Sequence, residues 1–253
     1  MTIMKLQGVD LEIRRRGKGP ALLIFHGGGG PISHMPFADR LAERFELIEP
    51  VHPGYMGSPI PDHFDNLEDL IYLYLDMLDA LALDRPIVLG HSLGGWTAAE
   101  IAVRNPKLFG KLILADAVGI KVSGRDHRDV ADVFSSPQAE LNKLAWHDLS
   151  LAPDFTTMAP EALRMVASNR IALSMYTWDP YMHNPKLAGR LHRIKVPTLV
   201  VWGESDRLVP MAIGAAYQQK IPGARLALIA KAGHSPHIEQ PAAFVQQIFD
   251  FAA

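Results

Sequence analysis

The chain has 253 residues, 48% hydrophobic and 21% charged, which suits one α/β-sized domain with an insertion and excludes a disordered or fibrous chain. A formal net charge of -2 leaves no basic face to neutralise phosphates and no polybasic anchor, so nucleic acid is not expected as a partner. With no cysteine, disulfides, thiol nucleophiles and thiolate metal sites are excluded.

The opening MTIMKLQGVDLEIRRRG lacks an apolar core of signal-peptide length. No later apolar stretch approaches the roughly 18 residues that span a bilayer, so the expectation is a cytoplasmic protein with no membrane span. Within the opening, VDLEIRR alternates and predicts a polar-faced edge strand. Next come the run ALLIFH (21–26), a helix over Ser33 to Arg44, the run FELIEPV (45–51) and a helix over Asn66 to Leu83. PIVLGH (86–91), a helix over Leu93 to Arg104 and KLILADAV (111–118) continue the series. Short β-rich apolar runs alternating with segments of helical period predict a parallel sheet covered on both faces.

The alternation stops between Ile120 and Asn184. This stretch carries helical-looking pieces, scattered proline and large side chains, among them Phe134, Trp146, Phe155, Met158, Met165, Met175, Tyr176, Trp178, Tyr181 and Met182, with no convincing buried strand. A segment this long between two core strands predicts a helical insertion over one edge of the sheet, a lid if the site lies at the strands' carboxyl ends. Its aromatics and methionines are expected mostly to make a small core of the insertion's own. The division is therefore a core of 1–119 and 185–253 and a helical cap of 120–184. PTLVVWG (197–203), a helix over Met211 to Lys220, ARLALIA (224–230) and a helix over Gln240 to Phe251 complete the chain.

Gly90-His91-Ser92-Leu93-Gly94 sits where the run Ile87-Val88-Leu89 gives way to the Ala-rich start of a helix, the strand, turn and helix setting of a nucleophile elbow. A turn that sharp leaves no space for Cβ atoms at 90 and 94 and thrusts the serine oxygen out at a helix N-terminus. A nucleophilic serine needs a base, and the base an orienting acid. His234, in Ala232-Gly233-His234, follows the last apolar run and would reach the same rim. Asp206, in Gly203-Glu204-Ser205-Asp206, stands just after PTLVVWG; Asp116, which also ends a core run, is the alternative acid. His26, His52 and His91 flank these loops and read as hydrogen-bonded scaffold. His234-x-x-His237 lacks the pattern of a zinc site.

With Gly90-His91-Ser92-Leu93-Gly94-Gly95, Trp202-Gly203-Glu204-Ser205-Asp206 and Ala232-Gly233-His234, the sequence resembles the α/β-hydrolase superfamily, of the lid-bearing esterase-like type, over nearly the whole chain except the insertion. The resemblance implies the α/β-hydrolase fold, an eight-stranded, mostly parallel sheet with helices on both faces and a helical cap after the sixth strand. It implies Ser92, His234 and Asp206 as a catalytic triad, and backbone N–H groups of Gly28 and Leu93 as the oxyanion hole. Phe25-His26-Gly27-Gly28-Gly29-Gly30-Pro31 suits that role, since glycines let N–H groups approach an anion. No Gly-Lys-Ser/Thr follows it and it does not fit a dinucleotide fingerprint, so no cofactor and no metal are expected.

The sequence departs from the family pattern at Val51-His52-Pro53-Gly54-Tyr55-Met56-Gly57-Ser58, where Val51 replaces the usual acid and the second glycine has moved by one. The leading expectation is a serine hydrolase of a small carboxylic ester or related acyl compound. Rivals are a carbon–carbon bond hydrolase of the same fold acting on a vinylogous diketone acid, a cofactor-free perhydrolase, and a non-catalytic ligand receptor. Ser92 argues against the aspartate-nucleophile epoxide hydrolases and haloalkane dehalogenases.

Overall fold

The computed structural model describes residues 1–124 and 126–253. Eight strands form one sheet in the order β1-β2-β4-β3-β5-β6-β7-β8. They are β1 Thr2–Leu6, β2 Val9–Arg16, β3 Ala21–Phe25, β4 Glu46–Pro50, β5 Ile87–His91, β6 Lys111–Ala115, β7 Thr198–Gly203 and β8 Arg225–Ile229. β2 runs antiparallel to both β1 and β4, and the rest of the sheet is parallel. The edge-strand expectation for VDLEIRR is therefore corrected: β2 lies inside the sheet and β1 forms the edge. The cause is that Val9, Leu11 and Ile13 bury one face of β2 while the exposed TIMKL segment covers its open side.

The helices are α1 Pro36–Ala42, α2 Leu67–Leu81, α3 Leu93–Arg104, α4 Gln138–Ala145, α5 Pro160–Thr177, α6 Met211–Lys220, α7 Pro236–Glu239 and α8 Pro241–Ala252. Side chains alternate across a strand, and that period divides the core in two. On β3, Leu23 and Phe25 join one cluster and Leu22 and Ile24 the other; on β6, Leu112 and Leu114 oppose Ile113 and Ala115. The first cluster packs under α2, α3 and α6, the second under α1 and α8. α2 starts at a capping box in which the Asn66 side chain accepts from Glu68 N and the Asp69 carboxylate accepts the Asn66 N–H. No helix among the described residues is long and apolar enough to cross a membrane.

The chain between β6 and β7 carries α4 and α5. Its two legs meet at a neck: Gly119 N–H donates to Met182 O and Asn184 N–H to Gly119 O, both at 2.9 Å. The buried Val130, Ala172, Tyr176 and Met182 belong to the first core cluster, so they continue the main core instead of forming the separate small core expected for this stretch. α5 lies against the loop after β4, where Tyr176 OH donates to Pro53 O and Ser168 Oγ to Gly54 O, both at 3.0 Å.

Candidate active site

Five loops leave the carboxyl ends of β3, β5, β6, β7 and β8, carrying His26 to Gly30, Ser92, Asp116, Asp206 and His234 respectively. In a parallel sheet this is one rim. Ser92 has φ 52° and ψ -114°, a conformation costly for a residue with a side chain. Surrounding structure holds it there: Ser92 N–H donates to Ala115 O, and Ser92 O accepts from Trp96 N and Val118 N. A Cβ on Gly94 would lie 1.9 Å from Phe25 O, and one on Gly90 would lie 2.4 Å from Gly94 O. The turn exists only with glycine at both positions.

His234 Nε2 is 3.0 Å from Ser92 Oγ, and its Nδ1 is 2.8 Å from Asp206 Oδ2. The carboxylate fixes the tautomer: Nδ1–H donates to Asp206, leaving Nε2 to accept from the serine hydroxyl. Asp206 is itself oriented, because its Oδ1 accepts the N–H groups of Leu208 and Val209, each at 2.9 Å. Asp116, the alternative acid, is fully buried nearby and makes no hydrogen bond to His234; its Oδ1 accepts Gly203 N–H at 2.9 Å.

The glycine loop packs directly on the elbow, since a Cβ on Gly27 would fall 2.8 Å from His91 Nδ1 and 3.0 Å from Ser92 Cβ. Gly27 O accepts from Gly30 N at 3.1 Å and from His26 Nδ1 at 2.8 Å. Across a trans peptide the next N–H, that of Gly28, points the opposite way. From α5, Asn169 Nδ2 donates to Gly29 O and Asn169 Oδ1 accepts Met56 N–H, both at 3.0 Å, while Leu173 lies over Gly28.

His26, His52 and His91 are held in hydrogen bonds beside these loops. His26 and His52 stack with ring centroids 3.6 Å apart. His26 Nε2 accepts the His52 N–H, His52 Nε2–H donates to His26 O, and Tyr74 OH donates to His52 Nδ1. Each ring then holds one donor and one acceptor nitrogen and must be neutral. Burial enforces the same state, lowering His26 well below the ordinary histidine value and His52 to about 3. His91 Nε2–H donates to His234 O at 2.8 Å, and burial with the nearby His234 lowers His91 to about 3.

Sequence reading missed Glu239, which the short α7 places behind His234. Its buried carboxylate accepts three backbone N–H groups: Gly233 at 2.5 Å, His147 at 2.8 Å and Asp148 at 2.9 Å. With His234 N–H donating to Ala145 O at 2.6 Å, it ties the segment between β6 and β7 to the loop that carries His234. An acid five residues past His234 gives no sign in the sequence that three amides converge on it. Glu49, also missed, accepts Ile32 N–H at 2.7 Å and Ser33 N–H at 3.1 Å at the far end of the glycine loop.

An open cavity of about 710 Å³ lies on another face of α5, lined by Arg170, Ile171, Ser174, Met175 and Trp178 with Asp65, Phe134 and Asp179. Ser92, Asp206 and His234 are not among its lining residues. Trp178 and Ile171 are 59% and 62% exposed there.

A family model described as the alpha/beta hydrolase family matches residues 22–247, and the chain belongs to that family. It is 28% identical over 278 residues to a 2-hydroxy-6-oxo-6-phenylhexa-2,4-dienoate hydrolase of Burkholderia cepacia, covering 98% of this chain and 93% of that one. It is also 28% identical over 261 residues to a strigolactone esterase of Pisum sativum, covering 94% of each. Among solved structures, the enol-lactonase from Burkholderia xenovorans LB400 is similar with a TM-score of 0.79 over 99% of each chain, at 21% identity, a likeness of fold.

Proposed function

We propose that the protein is a serine hydrolase that cleaves a small carboxylic ester or related acyl compound. The observation that carries the reading is the unbroken pair of hydrogen bonds from Ser92 Oγ through His234 to Asp206, at 3.0 and 2.8 Å. His234 takes the serine proton as Oγ attacks a carbonyl carbon, and Asp206 holds the imidazole and stabilises the imidazolium that forms. The N–H groups of Gly28 and Leu93 receive the oxyanion. His234 then protonates the leaving group, and water, activated by the same base, releases the acid from the acyl-serine.

A second reading, hydrolysis of a carbon–carbon bond in a vinylogous diketone acid, is favoured by the similarity to the dienoate hydrolase over nearly the full length of both chains. It uses the same serine and base and differs in the bond that breaks. The test has two parts. A fluorophosphonate probe should label the protein and fail to label Ser92→Ala; an unlabelled native protein rejects the serine mechanism and favours a binding role. A p-nitrophenyl ester series of increasing acyl length, run beside a ring-fission diketone acid, then ranks the two bond types by kcat/KM.

A further inference from the structure

Asp116 is a buried carboxyl at the rim that the mechanism does not use. It follows β6 at φ 45°, in the left-handed region that residues other than glycine rarely enter. Its N–H donates to Val201 O at 3.0 Å, and its Oδ1 accepts Gly203 N–H at 2.9 Å. Among the described residues, no N–H or O–H reaches its buried Oδ2. A buried carboxylate oxygen without a donor costs a great deal of free energy.

The surroundings show how that cost is avoided. Asp116, Asp206 and His234 each offer an atom within 4.8 Å of the others', so two buried carboxyl groups stand beside one imidazole. Two such groups do not both ionise. Asp206 accepts three N–H donors, from Leu208, Val209 and His234, and Asp116 only one. Hydrogen bonds donated to a carboxylate favour its anion, so the charge belongs on Asp206 and the proton on Asp116. A protonated Oδ2 is a donor, and the Asp206 carboxylate is the acceptor beside it.

We propose that Asp116 is a positioning residue, a neutral carboxylic acid whose Oδ2–H donates to the Asp206 carboxylate and extends the hydrogen-bonded chain to Asp116, Asp206, His234 and Ser92. Asp116 touches no reacting atom; it acts by fixing Asp206 and withdrawing charge from it. The ionisable groups bearing on it are Asp206 after β7 and, from the segment after β8, His234 and Glu239. Burial, then the Asp206 charge and, more weakly, Glu239 raise its carboxyl well above the usual carboxylate range.

The proposal rests on the triad reading, and the experiment separates the two. Asp116→Asn keeps an acceptor for Gly203 and an N–H donor for Asp206; Asp116→Leu keeps the branched shape and neither group. Fluorophosphonate labelling of Asp116→Asn should stay within about threefold of wild type, while Asp116→Leu should fall about tenfold, the size expected for one lost hydrogen bond to a charged group. The acid limb of the labelling profile should move to higher pH in Asp116→Leu alone, since Asp206 then holds the His234 proton more tightly. If both variants label alike with the same pH profile, the proposal fails.

Stability gives a reading that needs no catalysis. A carboxyl whose folded pKa is raised stabilises the fold at low pH, and that contribution is lost as pH rises toward the folded value. The denaturation midpoint of wild type relative to Asp116→Asn should therefore fall with rising pH from the ordinary carboxylate range upward. Infrared difference spectra should show a protonated carboxylic acid that Asp116→Asn lacks. A pH-independent midpoint difference and no such band overturn the proposal, whereas a native protein that does not label overturns the serine mechanism and leaves the proton on Asp116 to be judged by these two measurements.

Discussion

The elbow and the outer face of α5 are opposite ways of presenting a side chain. At the elbow, backbone approaches backbone so closely that a methyl group on Gly94 would lie 1.9 Å from Phe25 O. On the outer face of α5, Trp178 and Ile171 stand largely in water around an open cavity. The difference separates two requirements. The proposed chemistry needs Ser92 Oγ held to a fraction of an ångström, which a close-packed backbone provides. The proposed acceptance of different acyl groups needs space that side chains alone define, and such a surface can change without disturbing the fold.

That contrast can be broken by substitution, beginning with the largest effect. Ser92→Ala should lower kcat by roughly 10⁴-fold or more, in line with triad deletions, with the folded state intact by circular dichroism. Near-normal turnover would remove the elbow's claim to the chemistry. Gly94→Ala should destabilise by about 3 kcal/mol, since backbone must shift to admit one methyl, as read from urea midpoints. Gly28→Pro removes one backbone N–H and should cost on the order of 10²-fold in kcat with a small change in KM.

The buried histidines predict a pH effect of intermediate size. His26, His52, His91 and His237 are all lowered by burial, His52 and His91 to about 3. A depressed histidine pKa means that the unfolded chain binds more protons. The associated stability is complete above the ordinary value of 6.5 and is lost as pH falls toward 3, by up to about 1.4 kcal/mol per pH unit for each histidine. Glu49 and Asp116, raised by burial, contribute with the opposite sign. The clean comparison is therefore wild type against His52→Gln, whose midpoint between about pH 6 and about pH 4 should fall less steeply by one proton. The smallest effect belongs to the outer face, where Trp178→Ala should change stability by less than about 0.5 kcal/mol and leave turnover of a short acetyl ester unaltered. A change in KM confined to long acyl chains would tie the cavity to substrate choice.

How much of this could be read from the sequence follows the same division. Phe25, Val88, Leu114 and Val201 lie in continuous apolar runs because both faces of their strands are buried, and such runs announce themselves. β1 does not: TIMKL is mostly exposed and carries no alternation. Ser92, Asp206 and His234 were legible because each stands just past an apolar run, and the structure joins them by hydrogen bonds. Partners between loops distant in sequence were not legible: His26 and His52 read as loop scaffold but not as each other's partners, and Glu239 against His147 left no trace. The stretch from Ile120 to Asn184 was legible only as an interruption, because its buried residues, Tyr176 and Met182 among them, match a surface built by the rest of the chain.

The neck at Gly119 and Asn184 bears on how such a chain can diversify. Because the two legs are hydrogen-bonded side by side, the sheet meets the segment between β6 and β7 as if it were a single hairpin, whatever its length. Doubling that length would add only about 0.6 kcal/mol of loop-closure entropy. Recombination at these two positions could therefore exchange whole segments between related chains while the sheet and its rim remained unaware of the change.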